Sequence, residues 1–89
     1  MKIAIMGYGT VGSGVFEIIN SENFKHKDIE VKCILDIKKL EGKAADVLTD
    51  NFDDLAGDKE VEVVAEMMGG LHPAYEYTTA LLEGGKSVV

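Results

Sequence analysis

Arginine is absent from this 89-residue chain, so all nine basic residues are lysines, set against sixteen acidic ones for a formal charge of −7. A chain so short of positive charge does not present the clustered basic surface that nucleic-acid phosphates or an anionic membrane demand. The lone cysteine, Cys33, excludes an internal disulfide and leaves no second soft ligand for a zinc site. Its setting in "VKCILD" is that of a core thiol. A lone proline, Pro73, marks a helix start better than a linker. No apolar run approaches the roughly 20 residues of a membrane span, and "MKIAIMGYG" lacks the unbroken apolar stretch of a signal peptide. Neither nucleic acid nor membrane is expected as a partner, and the expected location is the cytoplasm.

What is present suits one globular domain: 46% of residues are hydrophobic, nothing repeats, and no segment is of low complexity. "KIAIM" is short, apolar and halts at glycine, as a buried parallel strand does, so a first strand is placed at residues 2–6. Val11, Val15, Ile18 and Ile19 recur at helical spacing and predict a helix to about Asn20 with those four against a sheet. "IEVKCILD" supplies a second strand over residues 29–35 with Asp36 at its end. Residues 38–59 read as loop with short helical turns around residues 52–56. "VEVVAEM" gives a third strand at residues 61–67. "HPAYEYTTALLEGGK" gives a helix with Ala74, Tyr77, Thr78, Leu81 and Leu82 inward, closed by Gly84 or Gly85, and "KSVV" opens a fourth strand. Strands joined through helices predict an α/β fold: a Rossmann-like parallel sheet of order 3-2-1-4, incomplete, with helices on both faces.

In "GYGTVGSG", Gly7, Gly9 and Gly12 satisfy G-x-G-x-x-G between a strand and a helix. Gly7 would permit the tight turn, Gly9 would leave room for a pyrophosphate, and Gly12 would let helix and strand pack closely, with Gly14 relieving a further helix contact. The free N–H groups of Thr10, Val11 and Gly12 would face that pyrophosphate at a helix N-terminus, which needs no basic side chain. Asp36 lies 24 residues (36 less 12) beyond Gly12, near the spacing at which a carboxylate meets the adenosine ribose. The plainer readings are a helix cap for Asp36 and packing for the glycines. Asp36 favours NAD, whereas Lys38 and Lys39 could pair with the 2′-phosphate of NADP, so the residues leave NAD or NADP open.

"VEVVAEMMGGLHPAYEYTTALLEGGKSVV" adds a strand running into "EMMGG" and a helix ending before "GGKSVV". Together with "GYGTVGSGV" it resembles the N-terminal NAD(P)-binding domain of homoserine dehydrogenase, over nearly the whole chain. Members of that family are oxidoreductases that interconvert aspartate 4-semialdehyde and homoserine by hydride transfer, on the route to threonine and methionine. The resemblance implies a cofactor loop of Gly7, Gly9, Thr10, Val11, Gly12 and Ser13, a ribose end at Asp36 with Lys38 beside it, and a further contact at Met68, Gly69 and Gly70. Ligands bind outside the carboxyl ends of parallel strands, and that is where these last three fall. Met67 and Met68 also suit core gaps. His26 reads as a solvated turn residue, and His72, before Pro73, as a surface or cap residue without a base partner.

In the family, the chain continues past "K-x-V-V" into a Thr-Ala-Asn-Lys segment and a substrate domain with the catalytic residues. Residues 1–89 are therefore expected to be the first part of a Rossmann domain, truncated and inactive alone, with a small-molecule substrate only in the full-length enzyme. An unprotected edge strand predicts homo-oligomers or poor solubility. Two other classes share the glycine loop: a different oxidoreductase, such as a semialdehyde or sugar dehydrogenase, and a non-enzymatic nucleotide-sensing module. A purely structural domain would leave four glycines at one junction as an unexplained entropic cost.

Overall fold

The computed structural model describes residues 1–68 and 74–89. Strand β1 (Lys2–Met6) leads into helix α1 (Thr10–Ile19) and strand β2 (Glu30–Leu35). There follow α2 (Gly42–Asp46), β3 (Leu48–Thr49), α3 (Phe52–Ala56), β4 (Val61–Glu66), α4 (Ala74–Glu83) and β5 (Ser87–Val88). The five strands form one parallel sheet in the order β3-β2-β1-β4-β5.

From Ile3 to Met6 β1 is apolar because both of its faces are covered. Ile3 and Ile5 pack with Val31, Ile34, Phe16 of α1 and Ala44 of α2. Ala4 and Met6 point the other way, into a core closed by Leu55 of α3 and Leu81 of α4. The sheet is thus the middle of three layers, and β1, flanked by β2 and β4, is its centre.

The expected order 3-2-1-4 is contained in the observed order 3-2-1-4-5, but third place belongs to a strand that the pattern did not reveal. Leu48 and Thr49, inside the stretch read as loop, pair with Ile34 and Leu35 at the β2 edge. The residues 61–67 strand is β4 and takes its place beside β1. Two residues of strand carry no periodicity, which is why β3 and the equally short α2 escape a reading by pattern.

α1 corrects a second expectation. Its inward residues are Gly12, Val15, Phe16 and Ile19, while Val11 and Ile18 are 63% and 61% exposed. The sequence permits either apolar stripe; the requirement that Gly12 face the sheet selects the one that includes Phe16. On α4 the expected inner face holds for Ala74 and Leu81, but Leu82 turns outward, 55% exposed.

α4 ends as its glycines suggest. Gly85 takes a φ of +91°, its N–H donates to Leu82 O, and the Lys86 N–H donates to Leu81 O, the paired bonds of a Schellman close. Cys33 is buried, and burial pushes its thiol up to about 11, in keeping with a core thiol. His26 is exposed in its turn. His72 and Pro73 lie outside the described residues. Among the described residues no helix is long and apolar enough to cross a membrane.

The half-buried Lys86 ammonium donates to the backbone carbonyls of Asp58 and Val61, tying the start of β5 to the start of β4. Lys86→Met keeps the aliphatic stem and removes both bonds. Urea unfolding should show a loss of about 1.5–3 kcal/mol, the range for hydrogen bonds to a charged group; an unchanged midpoint would show that the tie contributes nothing.

Candidate dinucleotide site

β1 stops at Met6, and its neighbours hold the exit open on both sides. The Gly7 N–H donates to Leu35 O at 2.8 Å, and the Met67 N–H donates to Met6 O at 2.8 Å. Gly7 itself sits at φ +98°, and a Cβ there would lie 3.0–3.2 Å from Met68 Cγ and the Met67 carbonyl group. Both constraints require glycine. The chain then rises into α1, whose first bond runs from the Ser13 N–H to Gly9 O at 2.9 Å. Thr10, Val11 and Gly12 therefore present N–H groups ahead of the first helical bond, and no side chain caps them.

The other two fingerprint glycines have opposite surroundings. A Cβ on Gly12 would fall 2.2 Å from the Gly7 carbonyl oxygen, so helix and strand meet backbone to backbone. A Cβ on Gly9 would meet nothing within 4 Å. Gly12 is required by the fold, whereas the space over Gly9 is left clear by it. Gly14 also meets nothing within 4 Å, so the helix contact expected there is absent.

Asp36 is joined directly to this loop. One carboxylate oxygen accepts from the Tyr8 N–H at 2.7 Å, and the other accepts from the Lys38 N–H at 3.0 Å. Burial pushes the Asp36 carboxyl up. The N–H groups of Tyr8, Lys38 and Ile37 outweigh that effect, with help from the Lys38 ammonium, and its pKa lies below the ordinary value. The ionised form is thus the one the fold favours. Its contribution is complete above the unfolded carboxylate pKa and is lost as pH falls through the lowered one. An ionised carboxylate offers about four acceptor positions, so these backbone donors leave it capacity for a ligand.

Gly7, Tyr8, Gly9, Asp36 and Lys38 line one cleft of about 530 Å³ together with Met67 and Met68 at the end of β4. The Lys38 ammonium reaches across to the Tyr8 carbonyl at 3.3 Å. Thr10, Val11, Gly12 and Ser13 are not in the lining, and the Ser13 hydroxyl donates to Thr10 O. Glu66 ends β4 and accepts the Met68 N–H. The two methionines serve both alternatives at once, since each packs against a core cluster as well as lining the cleft. Gly69 and Gly70 lie outside the described residues. Pattern reading passed over Tyr8, Ile37 and Asp50 as cleft residues and read Tyr77 only as a core position. Tyr8 was accessible in principle, as the residue between the first two glycines.

A glycine loop at the carboxyl end of a central parallel strand, facing a carboxylate at the end of its neighbour, defines a Rossmann-type dinucleotide-binding domain. A family model described as the NAD-binding domain of homoserine dehydrogenase matches residues 7–89. Homoserine dehydrogenase of Bacillus subtilis is 35% identical across the whole chain, which covers 23% of that protein. The enzyme of Lactococcus lactis is 32% identical over the same extent, with 23% of it covered. A crystal structure of the S. aureus homoserine dehydrogenase superposes with a TM-score of 0.83 at 31% identity, covering 99% of this chain and 25% of that one. The chain belongs to the homoserine dehydrogenase NAD-binding domain family, and it spans about a quarter of the length of these relatives.

The contrast between two glycines is directly measurable. Gly12→Ala forces its methyl onto the Gly7 carbonyl and should lower unfolding free energy by about 2 kcal/mol or more. Gly9→Val places its side chain in open space and should stay within about 1 kcal/mol of the parent, the scale of an unfavourable N-cap residue. Equal thermal shifts for the two variants would contradict this assignment.

Proposed function

We propose that this chain supplies the cofactor cradle of a homoserine dehydrogenase, which interconverts aspartate 4-semialdehyde and homoserine on the cytoplasmic route to threonine and methionine, and that the cradle prefers NAD to NADP. The observation that carries this reading is the hydrogen bond from the Tyr8 N–H to the Asp36 carboxylate at 2.7 Å. It sets an acceptor for ribose hydroxyls directly beside the loop whose neighbouring N–H groups would receive the pyrophosphate. Gly7, Gly9 and the N–H groups of Thr10, Val11 and Gly12 would hold the phosphates, Asp36 the ribose, and Met68 with residues 69–70 the nicotinamide side. When bound, the dinucleotide supplies the hydride acceptor or donor. The residues of this chain bind and orient it, and ordinary catalysis further requires a substrate held at the nicotinamide and a proton donor at its oxygen.

The preference follows from charge. Asp36 is held ionised and fixed by two backbone donors, so a 2′-phosphate placed against it meets a like charge. Lys38 and Lys39 are exposed and offset only part of that repulsion. Calorimetric titration of the chain with NAD, ADP-ribose and NADP should give binding of the first two and at least about tenfold weaker binding of the third, equivalent to ~1.4 kcal/mol. Gly9→Val should abolish all three. Absence of NAD and ADP-ribose binding would overturn the cradle; NADP binding as tightly as NAD would overturn the preference alone.

The same proposal includes self-association. β5 is an edge of the sheet, and exposed Val89 follows it. An apolar parallel edge pairs readily with a second copy. Light scattering across the micromolar range should show concentration-dependent mass, reduced by Val89→Lys; a constant monomer mass would refute the idea.

A further inference from the structure

The cleft extends beyond the glycine loop and Asp36 to a second group of residues that the cofactor's phosphates and ribose do not use: Ile37, Asp50 and Tyr77. Asp50 follows β3 as Asp36 follows β2, and the register places Thr49 opposite Leu35, so the two aspartates leave neighbouring parallel strands at the same end. Such strands lie about 4.8 Å apart. The two carboxylates differ in their commitments. Asp36 is bound to Tyr8 and Lys38, Asp54 accepts from the Thr49 hydroxyl, and Glu66 accepts from Met68. Among the described residues no partner engages the Asp50 side chain, which is exposed and faces the cleft.

The wall around it is flat and apolar. Tyr77 stacks on Phe52 with ring centroids 4.0 Å apart and planes within 5°, which fixes the tyrosine ring. Phe52 does not reach the cleft and Tyr77 does, so the stack backs the cleft wall with a rigid aromatic layer. Ile37, next to Asp36 in the lining, is 91% exposed, an apolar surface that a free chain leaves in water. A slot with aromatic and aliphatic sides and an uncommitted carboxylate suits a planar heterocycle that carries a hydrogen-bond donor on its edge.

We infer that Asp50 selects the base of the dinucleotide, accepting a hydrogen bond from the exocyclic amino group of a 6-aminopurine seated between Ile37 and Tyr77. This rests on the cradle reading above, since the ribose at Asp36 is what delivers the base to the slot. A hypoxanthine base turns an oxygen lone pair toward the carboxylate where adenine offers an N–H, and so loses that bond.

The test is a two-by-two comparison: the parent chain and Asp50→Asn, each titrated with NAD and with nicotinamide hypoxanthine dinucleotide, followed by chemical shifts and calorimetry. Asp50 is exposed and has no partner among the described residues, so the variant retains the fold, and Asp50→Ala serves as a second variant. The readout is the ratio of affinities, because removing a negative charge raises the affinity of both anionic ligands alike. The parent should prefer NAD about tenfold, and the preference should vanish in both variants. NAD bound without preference, or a preference unchanged by either substitution, would overturn the assignment of Asp50 while leaving the cradle intact. Failure of the parent to bind NAD at all would overturn both.

Discussion

The contact between Gly12 and the Gly7 carbonyl is the constraint on which the rest of the structure depends. A Cβ there would sit 2.2 Å from the oxygen, so no other residue lets α1 approach the end of β1 this closely. That approach fixes the rotation of the helix, which is why Phe16 enters the core and Val11 and Ile18 remain in water. It also sets the first turn of α1 over the exit of β1, next to the Gly7–Gly9 loop that lines the cleft. The positive φ of Gly7 and the clear space over Gly9 are consequences of the same geometry. A single backbone contact thus links core packing to the shape of the cleft.

An acidic chain can hold an anion because the site draws on backbone rather than side-chain charge. The aligned peptides of α1 place about half a positive charge at its N-terminus, and the Tyr8 N–H donates to the Asp36 carboxylate. Several lysines are occupied elsewhere. Lys2 and Lys32 pair with Glu60 and Asp58, at the amino end of the sheet and away from the cleft. These pairs are exposed or partly so, and their contribution to stability is correspondingly small. Lys38 is the one lysine in the cleft lining, and it spends its ammonium on the Tyr8 carbonyl. Net charge therefore says little about this site; the direction of a few N–H groups says much more.

Length of periodic pattern decided what was legible in the sequence. β1 was readable to the residue, because "KIAIM" is buried on both faces and ends at a glycine that the turn demands. β2 and β4 were readable to within a residue, α4 was readable at the end its glycines close, and α3 at residues 52–56 was found from a local cluster alone. β3 was not, since Leu48 and Thr49 become a strand only by pairing with Ile34 and Leu35, a tertiary event. The facing of α1 failed for a related reason: two apolar stripes coexist on it, and the choice between them is made by a glycine that carries no hydropathy. In the site, Gly7, Gly9 and Asp36 were legible because fixed spacing encodes their geometry. Asp50 and Tyr77 were not, because what brings them together is the stack on Phe52 and the register of an unseen strand.

The second family motif reaches both ends of the sheet: its "EMM" lies at the carboxyl end of β4, beside the glycine loop, and its "GGK" lies at the amino end. "GYGTVG" lies at the carboxyl ends of the strands and forms the cleft. "GGK" lies at the amino end, where Gly85 closes α4 and Lys86 binds the carbonyls of Asp58 and Val61, and "SVV" then runs along β4 as far as Glu66. Fixing the amino end of β4 also fixes its carboxyl end, because a six-residue strand paired along its length to β1 moves as a unit. The carboxyl end of β4 carries Met67 and Met68, whose backbone and side chain crowd Gly7 at 3.0–3.2 Å and hold the turn of the glycine loop from behind. Lys86 thus acts on the cleft without touching it, by setting the register that delivers the methionines to Gly7.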